Sequence, residues 1–127
     1  MPTQEAIMTT QEVANRFYQL TQEDKWMEIQ EELFAQNAES IEPAHAASFG
    51  LKNVKGLDAI KQKGEEFNNM VEEMHGGYCS APVVAGSYFS VAMGMDVTMK
   101  GAGRVKMDEI AVYEVKDGKI AKEQFFF

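Results

Sequence analysis

"DEIAVYEVKDGKIAKEQFFF", residues 108–127, sets two runs of alternating character on either side of Lys116-Asp117-Gly118. β-Branched and aromatic residues at every second position around an Asp-Gly pair predict a β-hairpin. The turn decides which side chains share a face, because a slip of one residue turns a strand over. A two-residue turn at Asp117-Gly118 sets Val115 opposite Ile120 and Glu123 on the face of Ile110 and Val112, apart from Glu109. A three-residue loop over 116–118 with Gly118 left-handed sets Ala111 opposite Glu123 and Glu109 opposite Phe125. One face then reads Met107, Glu109, Ala111, Tyr113 and Val115 beside Ala121, Glu123, Phe125 and Phe127, and this second register is the expected one.

In that register Glu109 and Glu123 are diagonal neighbours, roughly 7–8 Å apart. Apolar walls and mutual repulsion both disfavour the charged form and push at least one of the pair toward neutrality, the condition for general acid or base work at pH 7. The plain alternative is a solvated edge glutamate, or one satisfied by a nearby Tyr, Lys or Arg.

Upstream, Thr9 and Glu12 have capping-box spacing, and Val13, Phe17 and Leu20 continue a helix to about Gln22. Asp24 is expected to cap a second helix carrying Trp26, Ile29, Leu33 and Phe34 to about Asn37. "AESIEP" reads as a short strand stopped by Pro43, "AHAASFG" as an extended piece and "LKNVKG" as a loop. Leu57, Ile60, Phe67, Met70, Val71 and Met74 mark a third helix ended by "HGG", where His75 would favour the helix dipole. From there the period is two. Pro82 implies an edge or irregular strand, and in "VAMGMDVTM" Val91, Met93, Met95, Val97 and Met99 alternate against Ala92, Gly94, Asp96 and Thr98. Short turns between the late strands predict an α+β fold with helices packed on one face of an antiparallel sheet.

At 127 residues the chain forms one domain able to bury a core without disulfides. One cysteine, Cys79, no basic start and no long apolar run predict a cytoplasmic protein without a membrane span. Twenty acidic against twelve basic side chains, with no Lys/Arg stripe, argue against nucleic acid as a partner. Two histidines without HxH or HxxxH spacing argue against a metal site.

Two helices, a short strand closed by "IEP", a third helix opened by "GLDAI", long strands and a "DGKI" turn together resemble the nuclear transport factor 2-like (NTF2-like) superfamily, and within it the SnoaL-like polyketide cyclase group. The resemblance implies a cone-shaped, strongly curved antiparallel sheet with three helices closing an internal pocket. It also implies a homodimer joined through the outer sheet face, here bearing Ile110, Val112, Ile120 and Phe126. Superfamily activities include ketosteroid isomerisation, polyketide ring closure, dehydration and epoxide hydrolysis, so fold does not imply function. Glu42 falls where ketosteroid isomerases carry a basic Asp before Pro; their oxyanion-binding Asp falls at Ala111 and their helix-one Tyr at Phe17 or Tyr18. The His and Asp that SnoaL-like cyclases use have no counterpart on the late strands, since no His follows residue 75 and Asp96 faces away from the methionines.

The expected site therefore has Glu42, Glu109 and Glu123 as candidate catalytic carboxylates. Tyr18, Trp26, His45, Phe67, Met93, Met95, Tyr113 and Phe125 are its candidate ligand-binding residues, His45 as a proton carrier at the mouth. A small, largely apolar carbonyl compound is the expected ligand, and isomerase or cyclase chemistry on it needs no cofactor. The rival expectation is a dimeric binding or assembly module without chemistry.

Overall fold

The computed structural model describes residues 7–127, the Phe49 side chain excepted. Helix α1 (Thr10–Gln22) opens on the predicted capping box: Thr9 Oγ1 accepts the Glu12 N–H, and Glu12 Oε1 accepts the Thr9 N–H. Its buried stripe, Val13, Phe17 and Leu20, faces the sheet. Helix α2 (Trp26–Leu33) is shorter than the sequence suggested. Lys25, not Asp24, is its N-terminal boundary residue; Asp24 instead takes a left-handed φ of 57° and accepts the Trp26 indole N–H. Phe34 is extended and begins β1 (Phe34–Ile41).

After Pro43 the stretch expected to be extended is a short 3₁₀ turn, Ala44–Phe49, closed by left-handed Gly50. Within the expected loop, Val54 and Lys55 form β2. Helix α3 (Leu57–Met70) then stops four residues before the expected end, and "VEEMHGGYC" is strand β3 (Val71–Cys79). His75 is thus a strand residue on the Thr98 hydroxyl, 2.7 Å away, and not a helix cap. Phe67 and Met70 keep the helical spacing, but at Val71 and Met74 pairing with β5 (Tyr88–Met99) overrides it.

Strand β4 (Val83–Ala85) extends the β3 edge beyond a break at Pro82, as expected. Proline offers no N–H there, and Ser80 supplies the substitute: its N–H bonds Ala92 O, and its hydroxyl accepts the Ala92 N–H, each at 2.8 Å. Strands β6 (Gly103–Lys116) and β7 (Lys119–Phe126) form the final hairpin.

The sheet runs β2-β1-β7-β6-β5-β3, with β4 beside β5. It is mixed, not wholly antiparallel: β1 lies parallel to β7. Short connections did force antiparallel neighbours among the late strands, but β1 and β7 are distant in sequence and take the other orientation. Bulges in β3 and β7 bend the sheet around the helices, which bury its inner face in an α+β arrangement. Phe17 meets Tyr113 at 4.7 Å and Phe89 at 5.3 Å, and Phe89 stacks on Tyr113 at 4.9 Å, so three rings from α1, β5 and β6 lock helix to sheet. No helix among the described residues is long and apolar enough to cross a membrane.

Candidate functional site

The hairpin register merges the two expectations. Asp117 and Gly118 both have positive φ, 52° and 76°, and form a two-residue turn with Lys116 opposite Lys119 and Val115 opposite Ile120. Beyond it Ala121 bulges out, so Glu114 pairs with Lys122, Tyr113 with Glu123 and Ala111 with Phe125. The expected pairing of Ala111 with Glu123 is therefore displaced by two residues, which leaves Glu109 and Glu123 four positions apart along the sheet and not diagonal. The extra residue still keeps Glu123 and Phe125 on the inner face with Tyr113. Ile120, expected on the outer face, is fully buried opposite Val115.

Three carboxylates converge on this inner side. Glu42 follows Ser40 inward just past the end of β1 and is held by the Asn53 side chain, which accepts the Glu42 backbone N–H at 2.7 Å. Its side chain is 7% exposed and paired with Lys63 of α3 at 2.8 Å. Glu123 is likewise 7% exposed. Burial pushes its carboxyl up to about 7, against the restraining Ser40 hydroxyl and Lys63. Glu109, half-buried opposite Met93, is also raised to about 7, first by burial and then by the charges of Glu42 and Glu123. Burial, then Glu123, Cys79 and Glu109, hold the enclosed Tyr113 phenol well above its usual range.

Lys63 is the member of this charged cluster that the sequence reading missed. A lysine between Gln62 and Gly64 reads as solvent-facing, yet it lies three residues after Ile60 and four before Phe67, which puts it on the helix face that meets the sheet. Its ammonium reaches Ser40 Oγ at 2.6 Å and lies 5.8 Å from the Phe125 ring centre.

Of the expected ligand-binding residues, Tyr113 is buried beside Glu123, Phe125 is half-buried under Lys63, and Met93 is half-buried opposite Glu109. Tyr18 and Phe67 are half-buried on α1 and α3. Trp26 does not line the interior: it is 41% exposed and touches Phe17 only edge-on. His45 is exposed, its ring edge-on to Phe127 at 5.1 Å. Met95 borders a hollow of about 300 Å³ with Gly76, Gly94 and Tyr78, away from the carboxylates. A larger groove of about 480 Å³ lies between Asn37, Glu39, Lys55 and Lys122 and touches none of them either. Among the described residues, no three His, Cys, Asp or Glu side chains stand close enough to hold a metal ion.

The SnoaL-like domain family matches residues 8–127. A Mesorhizobium loti protein assigned to the SnoaL-like polyketide cyclases superposes with a TM-score of 0.86 at 33% identity, covering 94% of this chain and 100% of that one. An NTF2-like protein of unknown function from Burkholderia pseudomallei gives 0.75 at 14% identity, over 94% and 92% of the two chains. A Catenulispora acidiphila protein with a ketosteroid isomerase-like fold, in complex with trimethylamine, gives 0.69 at 16% identity, over 94% and 87%. No curated protein is significantly similar. Matched along nearly its whole length and folded as that family folds, this chain belongs to the SnoaL-like domain family of the NTF2-like superfamily.

Proposed function

We propose that this chain is an enzyme whose carboxyls move a proton next to the carbonyl of a small, largely apolar molecule, as in isomerase or cyclase chemistry. The observation that carries this reading is the placing of Glu109 opposite Met93 and of buried Glu123 opposite Tyr113 on the inner sheet face; burial there raises both carboxyls to about 7, so that each is ready to give or take a proton at neutral pH. Glu109 is the less enclosed of the two and is the exchanging group. It removes a proton α to the carbonyl and returns it to the product, and no cofactor enters the step. Tyr113, Phe125 and Met93 form the apolar surroundings, with Tyr18 and Phe67 on the helical side; Glu42 sets the local field.

The substrate need not be identified for the test. A panel of small enones and β-diketones is incubated in D₂O, and exchange α to the carbonyl is followed by NMR. Wild type accelerates exchange in at least one compound, and Glu109→Gln loses about 100-fold or more while remaining folded. Exchange at the buffer rate throughout, or a fully active Glu109→Gln, overturns the reading.

A second reading, a dimeric binding module without chemistry, is favoured by one specific observation: both hollows described above lie away from the carboxylates. Native mass spectrometry separates the two, since a retained ligand without proton exchange supports the module. Under either reading the partner of the outer sheet face is a second copy of the chain, covering Ile110 and Phe126, which are 46% and 49% exposed.

A further inference from the structure

An ammonium group has three protons to donate and accepts none, and Lys63 has three acceptors: Ser40 Oγ at 2.6 Å, Glu42 Oε2 at 2.8 Å and the Lys52 carbonyl at 3.4 Å. Ser40 is fully buried and uses its oxygen to accept from Lys63, so its own proton must point elsewhere. Directly opposite Ser40 in the parallel β1–β7 register is Glu123, and the Ser40 side chain and Lys63 both hold that carboxyl down against the effect of its burial. One ammonium thereby ties together α3, the end of β1 and the loop at 52–53, at the point where Ser40 stands opposite Glu123 of β7.

We propose that Lys63 is the positioning residue of the carboxylate site: it fixes Glu42 directly and Glu123 through Ser40, leaving Glu109 as the carboxyl free to exchange a proton. The assignment of exchange to Glu109 rests on the acid/base reading above; the positioning role does not. With its protons committed, Lys63 is neither a free hook for an anionic substrate nor an amine nucleophile. The charged groups acting on the site are Lys63 from α3, Glu42 from the end of β1, Glu109 from β6 and Glu123 from β7, with the Tyr113 phenol beside them.

The experiment is a carbon-detected NMR titration of the glutamate carboxyls in wild type, Lys63→Met, Lys63→Arg and Ser40→Ala. Lys63→Met moves the Glu109 and Glu123 titrations upward by about one pH unit or more, and Lys63→Arg restores most of that change. Ser40→Ala moves Glu123 upward and leaves Glu109 in place. In parallel, wild type is treated with butanal and borohydride, and peptide masses show exposed Lys100 alkylated well ahead of Lys63. Unchanged titrations in Lys63→Met, or alkylation of Lys63 as fast as Lys100, overturn the proposal. Should Lys63→Met fail to fold, Ser40→Ala decides: a Glu123 titration that stays put refutes the link. If the titrations move as stated while wild type catalyses no exchange, the acid/base reading fails and the positioning role stands.

Discussion

Glu123 gives the molecule a pH dependence opposite in direction to ordinary acid denaturation. Its carboxyl titrates near 7 in the folded chain and near the ordinary 4.5 when unfolded. Below about 4.5 both states are protonated; as pH rises toward 7 only the unfolded state ionises, so the folded state loses stability across that window. At about 1.4 kcal/mol per pH unit, the loss is on the order of 3 kcal/mol. Urea unfolding of Glu123→Gln is expected to match wild type near pH 4.5 and to exceed it progressively up to pH 7; a constant offset across that range rejects the assignment. Gly94 makes a steric prediction. A Cβ there would stand 2.5 Å from a Tyr78 ring carbon and 2.8 Å from the Met107 carbonyl oxygen. The ring can turn away but the backbone cannot, so Gly94→Ala is expected to cost about 1–3 kcal/mol by chemical denaturation. At this scale Glu109 and Glu123 drew notice as carboxylates among apolar neighbours, and Glu42 only through the resemblance carried by "IEP". Lys63 was not, because a helical lysine is ordinarily solvated and only the spacing from Ile60 and Phe67 marks it.

The final hairpin shows what short elements reveal and conceal. Asp117-Gly118 announced a turn, and the inner face was grouped correctly around Tyr113, Glu123 and Phe125. The exact pairs were not legible, because a bulge at Ala121 compensates for the shorter turn, and an alanine carries no signal that it will bulge. Helix α1 was read to within a residue because its capping box is local chemistry. Strand β3 and the parallel β1–β7 contact were missed because each is decided by a partner distant in sequence. The turn itself carries the prediction for this scale. Gly118 has φ 76°, and a Cβ there would stand 2.7 Å from Ile7 Cγ2 and 3.0 Å from the Met8 nitrogen. Gly118→Ala is expected to cost about 1–2 kcal/mol from the left-handed backbone alone, more if the 7–8 segment is displaced, read as a lowered thermal midpoint.

For the whole molecule, the α+β class and helices on one sheet face followed from the order of elements, whereas the mixed strand order did not. With a formal charge of −8, self-association through the outer face must bring like-charged bodies together, so apolar contact around Ile110 and Phe126 has to outweigh repulsion. Light scattering is expected to give a dimer that salt strengthens and that Ile110→Lys/Phe126→Lys converts to a folded monomer; a double variant that remains dimeric rules this face out. The β1–β7 contact has a consequence in time. Ser40 and Glu42 leave the ribosome some eighty residues before Glu123, the residue they are waiting for. During synthesis the early helices can settle on one another, but the buried acid cannot be enclosed until the closing strand slides in beside the first, so the carboxylate cluster is assembled last.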